Sequence, residues 1–193
     1  KQQDKPLVEL LGGTESSVPT NALIASDSPD IAVDQARTFT LQGFMSLKLK
    51  VGSGDLRHDE ALVSAVREAI GPNVSLRIDP NQSWSLPQAV EAVNTLAKYG
   101  LEYVEQPMAN TDPLAMVELR RNTDTPIAAD ESVDSLGAAL NIIGTGTADI
   151  IIIKAARLGG LRNSLEVIHA SRQAGIPAVV TSSLESGIGL TAG

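Results

Sequence analysis

A parallel (β/α) barrel, present in part, is the fold class this sequence predicts, and three observations predict it. Short runs rich in Val, Ile and Leu alternate with longer stretches of helical spacing. The alternation recurs at roughly 25–30 residues, the length of a strand and its crossover helix. The helical stretches are bounded by capping residues at one end and by glycine at the other. Eight such units take about 250 residues, so a chain of 193 holds most of a barrel. Periodicity alone leaves a doubly wound open sheet as the competing architecture.

In chain order, Val18–Ala25 reads as the first strand and Ser46–Val51 as the second, followed by a helix from about Asp59 to Ile70 that stops at Gly71 and Pro72. Leu76–Asp79 is the third strand. A helix starts near Ser85, where Ser85 and Gln88 have capping-box spacing and Pro87 sits in the first turn, and it ends at Gly100. Tyr103–Glu105 is the fourth strand, and Asp112 with Pro113 announces the next helix. Ile127–Asp130, a helix from about Ser135, Asp149–Lys154, a helix from Leu161 to Ala174 closed by Gly175, and a seventh strand at Ala178–Ser182 complete the pattern. Residues 1–13, ending in "LLGG", read as the tail of a preceding element, and residues 14–193 as the partial barrel. The absence of Met before Met45, and an end at Gly193 within what reads as a continuing element, make a piece of a longer protein the expectation.

Hydrophobic residues at 42% with 20% charged place the chain among globular proteins. A formal charge of −8 argues against a phosphate-tracking nucleic-acid surface, which needs clustered Lys and Arg. The longest apolar run, around Ile150–Ile153, is too short to span a bilayer, and no signal segment opens the chain, so no membrane role is expected. With no cysteine there is no disulfide framework and no thiolate metal site, and a cytoplasmic location is the expectation. A homo-oligomer is compatible with all of this.

The chemistry lies at the strand ends. "KLK" puts Lys48 and Lys50 on the second strand, and Asp79, Glu105, Asp130 and Lys154 end the next four. Side chains two apart share a face, so both lysines point one way while Leu47, Leu49 and Val51 point the other. Singly, each charge has a local explanation: Asp79 before Pro80 and Asn81 as a turn residue, "VEQP" as a strand entering a solvated loop, "ADES" as a helix-capping run, "KLK" as a solvated face. Five consecutive strands ending in Lys, Asp, Glu, Asp and Lys do not share that explanation. In a parallel barrel these ends meet at the mouth that carries active sites. Three converging carboxylates repel, and either take up protons or hold a cation. All-oxygen ligands favour a hard ion such as Mg²⁺, with Mn²⁺ as the alternative.

Other residues read as structural. His58 and His169 have no partner at metal-ligand spacing, Trp84 and Tyr103 are packing residues, and the glycines of "GSG" and "LGG" lack a phosphate-binding frame. Ser182, Ser183 and Glu185 follow the seventh strand at the same mouth. They are read equally as ligands for a substrate carboxylate or a neighbouring lysine and as ordinary helix capping.

Taken in order, "KLK", "RIDPN", "VEQP", "AADES", "IIIKAARLGGL" and "SSLESGIGL" resemble the enolase superfamily, specifically its muconate-lactonizing subgroup, over nearly the whole chain. Within that subgroup "SSLESGIGL" is most similar to the o-succinylbenzoate synthases, dehydratases of menaquinone synthesis. The resemblance implies a modified TIM barrel in which Asp79, Glu105 and Asp130 bind Mg²⁺. It implies that Lys50 abstracts a proton next to a substrate carboxylate, that Lys154 faces it across the substrate, and that Lys48 lowers the pKa of Lys50. Asn81 and Glu131 would support the metal from behind. An enediolate would form and then lose water. The same chemistry fits a muconate-type cycloisomerase or an N-acylamino-acid or dipeptide racemase, and a non-catalytic barrel is the remaining option. The partner in each enzymatic case is a small-molecule carboxylate. Family members also carry an N-terminal cap domain and an eighth strand, and the expectation is that this sequence retains only the last residues of the former and none of the latter.

Overall fold

Alternation along the strands separates two kinds of surface. Leu47 and Leu49 are fully buried while Lys48 and Lys50, one residue out of step, are half-buried. In the computed structural model, which describes residues 4–15, 17–183 and 185–187, there are seven strands, Ala22–Ile24 (β1), Ser46–Lys50 (β2), Ser75–Asp79 (β3), Leu101–Glu105 (β4), Ile127–Ala129 (β5), Ile150–Lys154 (β6) and Ala178–Thr181 (β7), of which β2 shows the alternation throughout and β5 is buried on both faces. They pair in sequence order, β1 to β7, and every pair is parallel. A doubly wound sheet reverses its strand order at a switch point. This order has no reversal, which selects the barrel-type sheet.

The helices are Leu7–Leu10 (α1), Pro29–Leu41 (α2), Leu56–Ile70 (α3), Leu86–Leu96 (α4), Pro113–Arg121 (α5), Leu136–Thr145 (α6) and Leu161–Gln173 (α7). The main core lies between sheet and helices, where Leu76, Ile78, Val104 and Ile127 meet Leu62, Val66, Val93 and Leu119. A smaller cluster of Tyr103, Ala128 and Ile152 fills the other, concave face below the mouth. Tyr103 and Trp84 are packing residues, as expected. No described helix is long and apolar enough to cross a membrane.

The elements differ from the sequence reading in several places. The first strand is only Ala22–Ile24: Val18 is 73% exposed, and Pro19 has no N–H to give a ladder. Helix α2 went unread because its buried stripe is built from Ala32 and Ala36, which mark helical periodicity weakly; Ser28 and Pro29 at its start were the available signal. Strand β5 stops at Ala129, so Asp130 stands one residue beyond the ladder.

Caps behave as their spacing requires. Gln88 Oε1 accepts from the Ser85 backbone N–H at 2.9 Å, Asp112 accepts from Ala115 N–H at 3.0 Å, and Ser135 from Ala138 N–H at 3.2 Å. Asp55 caps α3, accepting from His58 N–H at 2.9 Å, which starts that helix at Leu56 rather than Asp59.

One side chain fastens the end of α3 to the segments that lead into β3 and β4. Arg67 donates to the carbonyls of Tyr99, Gly71 and Val74, each at 2.8 Å, and of Gly100 at 3.0 Å. A lysine cannot reproduce that planar fork. Arg67→Ala is expected to cost about 2–3 kcal/mol, read as a fall in Tm of roughly 5–10 °C; a change under 1 °C would mean that these carbonyls are equally well served by water.

Candidate active site

The register brings the charged strand ends together. Lys50 lies directly opposite Asp79, and Lys48 opposite Arg77. Between β3 and β4 the register shifts after Leu76, which pairs with Leu101, while Arg77 pairs with Tyr103. The extra residue, Glu102, leaves the ladder and takes Arg77, whose Nε donates to it at 2.8 Å. The bulge keeps Tyr103 and Glu105 on the concave face beside Arg77 and Asp79.

Both lysines of β2 meet on one oxygen. Lys50 Nζ is 2.7 Å and Lys48 Nζ 3.0 Å from Asp79 Oδ2, and Lys48 also reaches Glu105 Oε1 at 2.7 Å. On the other flank Lys154 Nζ lies 2.5 Å from Asp130 Oδ2. The three acids are almost wholly buried, whereas the Lys50 side chain is 34% exposed against 16% for Lys48 and 15% for Lys154. Lys50 is thus the lysine most open to the mouth.

Burial works to discharge the Lys48 ammonium, but Glu105 and Asp79 outweigh it and hold the group above the ordinary lysine range. Burial also works to protonate Asp79, and there Lys48 and Lys50 prevail, keeping the carboxyl below its usual range. Glu105 goes the other way. Burial pushes it up to about 7, Lys48 pulls against that, and the nearby charges of Asp79 and Asp130 push in the same direction as burial. Between about 4.5 and about 7 the unfolded chain therefore releases a proton that the folded chain keeps. Stability falls as pH rises through that window and is flat above it. With chelator present, Tm is expected to be higher at pH 5 than at pH 7.5, and the difference should shrink in Glu105→Gln; an unchanged slope in that variant would assign the effect to another group.

The loops beyond the strands lock onto one another. Asn81 N–H donates to Asp79 Oδ1 at 2.9 Å, and Asn81 Nδ2 to Glu131 Oε1 at 2.5 Å, so the two predicted supporting residues touch each other and Asn81 also touches Asp79. Gly52 takes φ of +83°, and a Cβ there would lie 2.1 Å from Ser83 Oγ, a close approach that the reading of "GSG" as plain loop did not anticipate. Asp59, buried beneath it, accepts from Gly52 N–H at 2.9 Å. Arg157 Nη1 approaches Asp130 Oδ1 to 3.9 Å. Gln106, passed over within "VEQP", has a fully buried side chain bonded to the segment that follows β5.

Ser182 and Ser183 are exposed beyond β7, and Glu185 accepts from the Ser183 backbone N–H, which engages that carboxylate in its own turn. Leu184 and residues 188–190 of the same motif lie outside the described residues. His58 and His169 sit on α3 and α7, away from the charged centre. A cavity of about 240 Å³ lies between the start of α3 and α4, lined among others by Leu56, Asp59, Trp84 and Glu91; it holds none of the charged strand-end groups.

The chemistry of the donor set fits a hard divalent ion: three carboxylates from adjacent strand ends, close enough that two of them raise the third, with the buried Oδ1 of Asp130 lacking a hydrogen-bond partner. Among the described residues no three acidic or imidazole groups form a closed ligand cluster; Lys48 spans Asp79 and Glu105, and Lys154 holds Asp130.

Residues 32–193, which include every one of these charged positions, match the family described as "Enolase C-terminal domain-like". The chain belongs to the enolase superfamily. Among characterised members of the superfamily it is 35% identical over 189 residues to the L-Ala-D/L-Glu epimerase of Bacillus subtilis, covering 97% of this chain and 52% of that protein. It is 39% identical over 180 residues to the o-succinylbenzoate synthase of Thermobifida fusca, covering 92% and 54%. The crystal structure of the Enterococcus faecalis dipeptide epimerase complexed with Mg and the dipeptide L-Leu-L-Tyr superposes with a TM-score of 0.91 at 37% identity, over 95% of this chain and 52% of that one. An N-succinyl-L-Arg/Lys racemase and a muconate cycloisomerase match at 30% and 35%, in keeping with the muconate-lactonizing subgroup. The chain spans about half the length of the curated relatives it matches.

Proposed function

We propose that the protein is a Mg²⁺-dependent enzyme that abstracts a proton next to a substrate carboxylate, and that its reaction is the dehydration catalysed by o-succinylbenzoate synthase, a carbon–oxygen lyase. The observation that carries the proton chemistry is the row Lys50–Asp79–Glu105–Asp130–Lys154, an acidic centre flanked by two lysines at a single mouth. In this reading residues 14–193 form the catalytic barrel and residues 1–13 the tail of a cap domain. The resemblance of "SSLESGIGL" and the 39% identity to the Thermobifida synthase support the choice of substrate.

Asp79, Glu105 and Asp130 would hold the ion, as Mg is present in the complexed Enterococcus neighbour. When bound, it supplies positive charge where the substrate carboxylate gains negative charge on losing the adjacent proton. Lys50 takes that proton and returns it to the departing hydroxide. Lys48, fixed between two acids, keeps its charge beside the substrate site. Lys154 stabilises the dianionic enediolate from the opposite flank.

A second reading, racemisation or epimerisation of an N-acylamino acid or dipeptide, is favoured by the pairing of a lysine with an acid on each side and by the epimerases among the relatives. There Lys50 and Lys154 would each exchange the proton of one enantiomer. The full-length protein is to be assayed with and without Mg²⁺ on the cyclohexadiene precursor of o-succinylbenzoate, and on N-succinylamino acids and dipeptides in D₂O. Metal-dependent dehydration supports the synthase. Exchange without dehydration moves the substrate to the second reading, and silence on all substrates leaves a cycloisomerase or a non-catalytic barrel.

A further inference from the structure

Asp130 is the one acid of the three that the sheet does not hold. Asp79 and Glu105 are the last residues of β3 and β4, but β5 ends at Ala129, whose partner Ile151 is the last rung of the β5–β6 ladder. Asp79 has in addition the Asn81 N–H on its Oδ1, while Oδ1 of Asp130 has no hydrogen-bond partner. Lys154 holds Oδ2 of Asp130 and Arg157 comes within 3.9 Å of Oδ1, but the backbone that carries this carboxylate needs a hold other than strand pairing.

Gln106 supplies that hold. It follows Glu105 directly, is fully buried, and takes φ of 37°, a strained conformation for a non-glycine residue that the surrounding bonds must hold. Its carboxamide oxygen accepts from Asp130 N–H at 3.0 Å and from Ser132 N–H at 3.1 Å, and its Nε2 donates to Met108 carbonyl at 2.9 Å. Its backbone N–H donates to Ala128 carbonyl and its carbonyl accepts from Gln82 N–H, both at 2.8 Å. One residue thus ties together the loops that follow β3, β4 and β5. Two acceptances and a donation at the same side chain require a neutral amide. An ionised carboxylate there would add to the repulsion among Asp79, Glu105 and Asp130.

We propose that Gln106 is the positioning residue for Asp130, holding the Asp130–Ser132 backbone so that the carboxylate stays directed at Lys154 and, on the metal-dependent reading above, at the divalent ion. The test uses the full-length protein with Gln106→Leu, which removes acceptor and donor at similar volume, and Gln106→Glu, which keeps an acceptor oxygen. Amide hydrogen exchange of the metal-free protein reads the hold itself, and Mn²⁺ titration followed by electron paramagnetic resonance reads its consequence.

In Gln106→Leu, exchange at Asp130 and Ser132 is expected to quicken at least about tenfold, with Val66 in α3 unchanged, and Mn²⁺ affinity to fall roughly 10–100-fold. Gln106→Glu is expected to retain protection at both amides. Wild-type protection in a folded Gln106→Leu overturns the inference, as does lost protection with Mn²⁺ affinity within twofold. If Gln106→Leu does not fold, lost protection in Gln106→Glu overturns it alone. A wild-type protein that binds no Mn²⁺ refutes the metal-dependent reading instead, and the exchange measurement still decides the hold on Asp130.

Discussion

Lys50→Ala in the full-length protein is expected to lose about 10³-fold or more in kcat/KM while retaining Mg²⁺ affinity within a few-fold, the range associated with removing a general base being roughly 10²–10⁴. The geometry separates this lysine from its neighbour. Lys48 is bonded to two buried acids and is held charged, so it has no proton vacancy to offer. Lys50 has a single acidic partner and the more exposed side chain. Loss of Lys50 also leaves all three acids in place, which is why metal binding should survive. Measuring kcat and Mg²⁺ affinity in parallel checks both halves, and near-normal turnover in Lys50→Ala would move the base to another residue. Lys154→Ala distinguishes the two readings of function: in a dehydratase it slows a single reaction, whereas in a racemase it removes exchange for one enantiomer and spares the other.

Asp79→Ala is expected to be the most damaging single substitution at the mouth. Its Oδ2 is shared by two ammonium groups and its Oδ1 accepts from Asn81 N–H. Truncation leaves the largely buried Lys48 with Glu105 alone and leaves Asn81 N–H without its acceptor. Breaking a buried ion pair from one side typically costs about 3–5 kcal/mol. Partial exposure of Lys50 places its share at the low end. Chemical denaturation of the metal-free protein should register this loss, and Mn²⁺ binding should disappear with it. Asp79→Asn keeps the volume and one acceptor, so it should recover much of the stability and little of the metal affinity. Equal recovery of both would argue that the carboxylate charge is not what the site uses.

The chain's own chemistry made much of this legible. Lys48 and Lys50 share a face because they are two apart, and the helix starts at Ser85, Asp112 and Ser135 follow from capping residues that act within four positions. The parallel barrel followed from repeated strand and helix lengths, and the strand order then ruled out its open-sheet rival. What stayed hidden had weak local signals. Helix α2 buries alanines, and the start of the first predicted strand was lost because an apolar Val18 beside Pro19 has no ladder to join.

Residue types and their spacing determined which groups stand at the strand ends and which face each takes. Only the tertiary structure decided the partnerships: that Lys48 bridges Asp79 and Glu105, that Lys154 turns to Asp130, that a bulge at Glu102 keeps Glu105 on the concave side, and that Gln106 reaches across to Asp130 and Ser132. The reason is range. Pleat and capping act between residues a few positions apart, whereas these contacts join residues 24 to 57 positions apart, and their geometry exists only once neighbouring strands have settled into register.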